Sequence, residues 1–194
     1  RGGGSVLGMS QSGHVSAIGY ELYTEMMEKT IRELKGDRPP EEEIDPEINL
    51  GVTAFIPDEF IPDTHTRLMT YKRISMISAD RDLPGISEGL ADCYGPVPPE
   101  VDTLMDIMRI KNRLRKILGI KMDYNGSDLT IVFRNDSPVD PARIIALSQE
   151  RAGGIQFTPD NRLIVSMPDL EGAAIITHAL DLLEELEIEE DGTF

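Results

Sequence analysis

Apolar side chains recur every three to four residues through most of the first 120 positions, which is the spacing of helices with one buried face. The first predicted helix covers residues 15–35 and ends at Gly36. A second follows Asp63, whose carboxylate can cap its first turn. The longest helix begins at Pro98-Pro99 and ends at Gly119. This part of the chain is therefore predicted to be mainly helical.

Two further elements are predicted between these helices. Residues 52–56 have the composition of a short strand. A weaker helix ends at Gly95, and we expect its Cys93 to be a small buried side chain rather than a nucleophile. The apolar stripe of the helix after Asp63 is predicted to face inward; it consists of Leu68, Tyr71, Ile74 and Ile77.

The last third of the chain changes to the alternation of strands. Residues 120–124 and 129–133 flank Asn125-Gly126, which predicts a hairpin, and residues 155–157 and 163–165 predict a second. A helix from Asp140-Pro141 to Glu150 separates the hairpins. Asp169 is predicted to cap a closing helix with four inward side chains, Ala173, Ile176, Leu180 and Leu183. The order strand-strand-helix-strand-strand-helix predicts an α+β fold with a small mixed or antiparallel sheet.

The segments between these elements suggest the domain organisation. Residues 1–14 are rich in Gly and Ser and are predicted to be loop, so residues 1–36 form a loop and a connecting helix. Residues 37–49 are acidic and rich in Pro, as in a solvated linker. Residues 50–194 form the C-terminal domain. Because the chain starts at Arg1 without an initiator Met, we expect it to be a piece of a longer protein.

The charge balance limits the classes of partner. The 194 residues include 19 Lys and Arg against 35 Asp and Glu, a formal net charge of −16. Coating of nucleic acid or of an anionic membrane requires a basic surface, so the overall charge argues against both. A single cysteine indicates a reducing, cytoplasmic environment, and no apolar run approaches the ~18 residues of a membrane span. A monomer is expected.

The sequence contains no pattern typical of a catalytic site. No phosphate-binding glycine loop of either common spacing occurs, and the three histidines, His14, His65 and His178, are far apart without a second ligand at metal spacing. We therefore predict that these residues form no enzyme and bind no metal or cofactor.

Two charged features remain as candidate interaction faces. One is a basic stretch without acids, consisting of Arg109, Lys111, Arg113, Arg115, Lys116 and Lys121. It is either a face for phosphate or an acidic partner, or the solvated side of an amphipathic helix. The other is an acidic tail, consisting of Asp181, Glu184, Glu185, Glu187, Glu189, Glu190 and Asp191. It either docks on a basic partner or is a solubilising end.

The chain as a whole resembles one family. Residues 1–14 are similar to the R-G-x-G-x-x-L-G-x-x-Q-S-G signature that closes the translocation motif of RecG-like double-stranded DNA translocases. The segments after it resemble the transcription-repair coupling factors of bacterial excision repair, in order, along essentially the whole chain. These segments are Ile18–Tyr23, Phe60–Asp63, Thr66–Leu68, Tyr71–Ile74, Tyr94-Gly95 and Lys116–Ile120.

This resemblance implies a function that composition alone does not. In the family, the whole protein displaces RNA polymerase stalled at DNA damage by ATP- and Mg-dependent translocation on double-stranded DNA, and it recruits UvrA. Arg1 and Gln11 would belong to the motor and be inert in this chain. Residues 50–194 would be the regulatory domain, which docks on the UvrB-like N-terminal module and masks the UvrA-binding surface. The alternative is a DNA-handling module that uses residues 109–121.

Overall fold

The computed structural model describes residues 44–150 and 154–187. The predictions for residues 1–43, including the Gly-rich loop and the first helix, lie outside the described residues. The helices are α1 (Thr64–Ser75), α2 (Leu83–Tyr94), α3 (Pro99–Lys116), α4 (Pro141–Glu150) and α5 (Ala173–Leu186). The strands are β1 (Glu47–Asn49), β2 (Gly119–Tyr124), β3 (Asp128–Phe133), β4 (Ile155–Thr158) and β5 (Arg162–Ser166). No helix in these ranges is both long enough and apolar enough to span a bilayer.

The strands form one mixed sheet in the order β1-β2-β3-β5-β4. β1 runs parallel to β2, and every other pair is antiparallel. Both predicted hairpins are confirmed, and the α+β fold class with them. The first hairpin is closed by Asn125, whose side-chain oxygen accepts the backbone N–H groups of Ser127 and Asp128, while Gly126 adopts a φ of 94°.

One face of the sheet forms the main core. Leu129, Ile131 and Phe133 alternate inward along β3, as the period of two requires. Helices α3, α4 and α5 cover this face, and α5 contributes six buried side chains, Ile175, Ile176, Ala179, Leu182, Leu183 and Leu186. The opposite face carries more polar side chains, such as Lys121, Asp123 and Thr130.

The helices before the first hairpin bury a further set of apolar side chains, and α1 packs against α3. Asp63 caps α1 as predicted, because its carboxylate accepts the Thr66 backbone N–H at 2.7 Å and the Thr66 hydroxyl at 2.6 Å. The Tyr71 hydroxyl accepts the Ile56 backbone N–H at 2.6 Å, and burial raises the pKa of this tyrosine. This bond ties the segment before α1 to the helix.

The prediction of a strand at residues 52–56 is wrong, because these residues form neither a strand nor a helix. The strand lies at Glu47–Asn49 instead, inside the segment predicted to be a linker. Its pairing depends on contacts distant in sequence: Glu47 lies opposite Lys121, and the Asn49 amide donates to Asp123 at 2.8 Å. A run of polar and acidic residues gives no local strand signal, which is why the pattern placed the strand too late. The wider division at residues 36 and 50 stays a prediction.

Four predictions about individual side chains are also corrected. Cys93 is exposed rather than buried. Leu68 is 45% exposed, so the inner face of α1 is narrower than predicted. Asp169 does not cap α5; it has a φ of 59° and donates its N–H to the Gly126 carbonyl, and the helix begins four residues later at Ala173, which is itself exposed.

The junction between α3 and β2 brings Gly119 close to the Leu114 side chain. The helix ends at Lys116, three residues before the predicted position, and Leu118 has a φ of 52°. A Cβ atom on Gly119 would lie 2.7 Å from Leu114 Cδ2. The strand therefore starts in close contact with the helix that precedes it.

We expect Leu129→Ala to lower the free energy of unfolding by about 2–5 kcal/mol, because it leaves a cavity beneath the sheet where Leu129 is fully buried. Thr130→Ala, next along β3 on the opposite face, is the matched control and should change stability by less than about 1 kcal/mol. Urea denaturation followed by circular dichroism measures both, and equal losses would contradict the assignment of the core face.

We expect Asp63→Ala to lower the urea midpoint near neutral pH and to lose this effect at low pH. Hydrogen bonds from the Thr66 hydroxyl and N–H lower the pKa of Asp63 from its ordinary 3.8, so its stabilisation is present above that value. It is lost as the pH falls through the lowered pKa. Asp63→Asn keeps a capping oxygen without charge and is the control. A midpoint difference for Asp63→Ala that is the same at neutral and acidic pH would rule out this linkage.

Candidate interaction surface

The basic stretch of α3 and β2 lies among carboxylates. α3 buries half of its 18 residues, including Lys111 and Asn112, so its cations emerge at the margins of the packed surface. Each of the six cations from Arg109 to Lys121 has a carboxylate oxygen within 4 Å. The sequence showed a stretch without acids, and the fold brings the acids to it.

Arg113 lies at the centre of the largest group of charges. Its Nε is 3.4 Å from an Asp80 carboxylate oxygen, and its Nη1 is 3.5 Å from Glu184 and 3.8 Å from Glu187. The Arg113 side chain is only 22% exposed. Low exposure strengthens these attractions and raises the cost of removing any one partner.

Lys116 extends this group, because its Nζ lies 3.2 Å from Glu187. We call Asp80, Arg113, Lys116, Glu184 and Glu187 the Arg113 cluster. It joins the turn before α2, the end of α3 and the end of α5. The two faces predicted separately from the sequence thus meet and pair with each other within one chain, and a role for them toward a partner stays a prediction.

The other members of the predicted faces lie outside the cluster. The backbone carbonyl of Glu185 accepts Arg143 Nε at 2.9 Å, which links α5 to α4. Asp181 is exposed on the outer side of α5. Arg1 and Gln11, together with Glu189, Glu190 and Asp191, lie outside the described residues.

A second charged group holds the segment that leads into β1. Lys111 Nζ lies 2.5 Å from the Asp45 carboxylate and Arg115 Nη2 lies 3.2 Å from it, while Arg115 Nε donates to the Ile44 carbonyl. On β2, Lys121 lies between Glu47 and Asp123, and its hydrogen bond to Asp123 raises the pKa of Lys121.

Arg109, the remaining cation of the basic stretch, lines a groove between α2 and α3 that was not predicted from the sequence. The groove has a volume of about 410 Å³ and exposes the carboxylates of Glu88, Asp102 and Asp106. Arg109 donates to Asp106 at 2.8 Å. Burial raises the pKa of Asp106 against the opposing effect of Arg109. The sequence signal for this groove was the spacing of Asp102 and Asp106, because residues i and i+4 lie on the same face of a helix.

This arrangement favours contact with proteins over contact with phosphate. Because the cations of the basic stretch are already paired, a phosphate backbone would have to displace internal carboxylates. Within residues 44–150 and 154–187, no cluster of three or more His, Cys, Asp or Glu side chains could hold a metal ion. Acids on the outer side of α5 and in the groove stay open to solvent, and they fit a basic or polar protein surface.

Comparison with known proteins confirms the resemblance. Residues 50–144 match the model of the TRCF domain. A transcription-repair-coupling factor of Myxococcus xanthus is 32% identical over 187 residues, which is 96% of this chain and 16% of that protein. The Escherichia coli protein of the same name is 35% identical over 167 residues, covering 84% of this chain and 14% of its own length. The chain therefore spans about a sixth of these relatives.

A solved structure is similar in fold. It is the C-terminal domain of a transcription-repair coupling factor, with a TM-score of 0.61 and 23% sequence identity. The similarity covers 73% of this chain and 91% of the solved one.

We expect Arg113→Gln to lower the free energy of unfolding by about 1–3 kcal/mol, because it leaves three carboxylates near one another without their shared cation. The control is Arg81→Gln, whose side chain is 88% exposed and lies 3.9 Å from Asp82; it should cost less than about 0.5 kcal/mol. Urea denaturation at low and high salt measures both variants. A loss no greater than that of the control would mean that the cluster contributes nothing to stability.

Proposed function

The chain belongs to the transcription-repair-coupling factors, and we propose that residues 50–194 act in them as a regulatory domain that works by docking on another protein surface. The partner we infer is the UvrB-like module of the same protein, whose UvrA-binding surface the docked domain would cover. The observation that carries the proposal is the internal pairing of every cation in the basic stretch, which leaves acidic surface for intermolecular contact.

The exposed acids define the candidate docking surface. Along α5, Asp181 and Glu184 point outward, and the Glu184 side chain is 74% exposed although one of its oxygens approaches Arg113. Together with His178 and Glu185 they line a shallow depression. A basic or polar partner surface would gain electrostatic complementarity here without breaking the buried side of the Arg113 cluster.

Tethering makes a modest interface sufficient. Two modules of one chain meet at a high effective concentration, so a contact too weak to hold separate molecules can keep a surface covered. A polar contact is also released readily when a conformational change elsewhere favours the open state. Salt should weaken it, since exposed charges are screened within about 8–10 Å at physiological ionic strength.

The activities of the whole protein would lie outside the described domain. In our proposal, ATP- and Mg-dependent translocation on double-stranded DNA displaces stalled RNA polymerase, and UvrA is recruited once its surface is uncovered. Arg1 and Gln11 would serve the motor, while residues 50–194 would carry no catalytic step. By docking or detaching, the domain would control when the motor is active and when the UvrA-binding surface is uncovered.

Deleting residues 50–194 from the full-length protein should increase UvrA binding and DNA-stimulated ATPase activity together, because both depend on the uncovered state. Titration calorimetry with UvrA and a coupled ATPase assay measure the two effects. A change in UvrA affinity of less than about two-fold, ~0.4 kcal/mol, would show that the domain is not a clamp.

A point variant tests the surface without removing the domain. Asp181→Lys in the full-length protein should raise UvrA affinity part of the way toward the deletion, and Asp58→Lys, at another exposed acid in the loop before α1, is the control. Gel shifts of the isolated chain test the DNA-handling alternative: tight binding with a steep loss in salt would favour that alternative over docking.

A further inference from the structure

The two outer strands of the sheet differ in how their free edges are protected. β1 and β4 occupy the edges. Sheet edges expose unpaired N–H and C=O groups, and proteins protect them with prolines, charges or covering segments. β1 follows Pro46 and carries Glu47, which lies 3.4 Å from Lys121. β4 consists of Ile155, Gln156, Phe157 and Thr158 and carries neither a charge nor a proline.

The register of β4 determines which backbone groups face outward. Ser166 donates its N–H to the Gly154 carbonyl, so residues 154 and 166 form a hydrogen-bonded pair. Such pairs alternate along antiparallel strands, and Gln156 therefore bonds to Ile164. The N–H and C=O groups of Ile155 and Phe157 point to the free edge. Among the described residues only the Ser148 hydroxyl reaches one of them, at 3.4 Å from the Ile155 carbonyl.

The Phe157 side chain, at the same position of β4, is also exposed to solvent. Phe157 lies opposite Leu163, on the face of the sheet that holds the core, yet it is 46% exposed. Its ring centroid is 6.3 Å from that of Phe133, so one side of the ring contacts the core and the other faces solvent. The neighbouring helix α4, which packs against β4, exposes Ile145 to 60%. Unpaired backbone groups and exposed apolar side chains thus occur at the same edge of the sheet.

We propose that the free edge of β4 binds an extended segment of a partner protein, which adds a sixth strand to the sheet. The backbone groups of Phe157 select an extended backbone, since only a strand presents a donor and an acceptor with matching spacing. An apolar side chain of the partner would cover the exposed side of Phe157. The remaining positions of the segment are neutral or basic, because this chain carries a net charge of −16.

The same charge disfavours a second copy of this chain as the occupant. Pairing of two β4 edges would bring two strongly acidic molecules together, and their mutual repulsion opposes the contact. Unlike the α5 surface, β4 itself carries no acid. Docking at β4 would therefore depend less on salt than docking at α5.

The test uses the whole chain and a synthetic ten-residue peptide that alternates Val with Lys or Thr and carries one central Phe. We expect saturable binding in fluorescence anisotropy, with a Kd of about 10–100 μM. The same peptide with every backbone N–H methylated cannot donate to the edge and should bind at least about ten-fold more weakly. Equal affinity of the two peptides, or no saturable binding of the first, would overturn the proposal.

Two variants of β4 locate the site. Phe157→Lys places a charge at the open edge and should weaken peptide binding at least about ten-fold. Gln156→Lys places the same charge on the same strand, but its backbone bonds to β5 and its side chain lies on the opposite face, so affinity should change less than about two-fold. Thermal melts verify that both variants fold. If both variants bind the peptide equally well, the edge is not the site.

Analytical ultracentrifugation of the chain without peptide tests whether a second copy of the chain occupies the β4 edge instead. We expect a monomer for the chain and for Phe157→Lys. A dimer that Phe157→Lys dissociates would mean that a second copy, rather than a partner segment, occupies the edge.

Discussion

The burial of α3 is the constraint on which the rest of the structure depends. It packs against α1, and its second half packs on the sheet together with α5, so half of its residues are buried. A helix enclosed in this way cannot leave its cations in the interior without partners. Three acids from other segments, Asp45, Asp80 and Glu187, meet those cations, and each pairing fixes where its segment lies against α3.

Local signals predicted the parts of the fold that are formed locally. The turn at Asn125-Gly126 and the cap at Asp63 depend on residues within three positions of each other, and both were correctly placed. β1 was missed because its partner strand is 74 residues away, as in the Asn49–Asp123 bond. The pairing of the two charged faces was missed for the same reason: Arg113 and Glu184 are 71 residues apart. Sequence reasoning found the charged residues of the site but not that they neutralise each other.

The two proposed docking sites differ in chemistry. The α5 surface is acidic, so docking there would depend on charge and would weaken with salt. The β4 edge carries no charge, so binding there would depend on backbone geometry and on covering Phe157. A domain of this size could therefore hold one contact while the other forms, since neither surface uses the residues of the other.

The Arg113 cluster and the pairs beside it also affect how a partner approaches. Six cations and seven carboxylates nearly cancel along α3, β2 and their neighbours, so this side contributes little to the long-range field. Almost all of the excess negative charge must then arise from the rest of the chain. A basic molecule diffusing nearby is therefore attracted by that remainder and only weakly by the paired side of α3. The internal ion pairs thus lower the long-range attraction of this side as well as joining its segments.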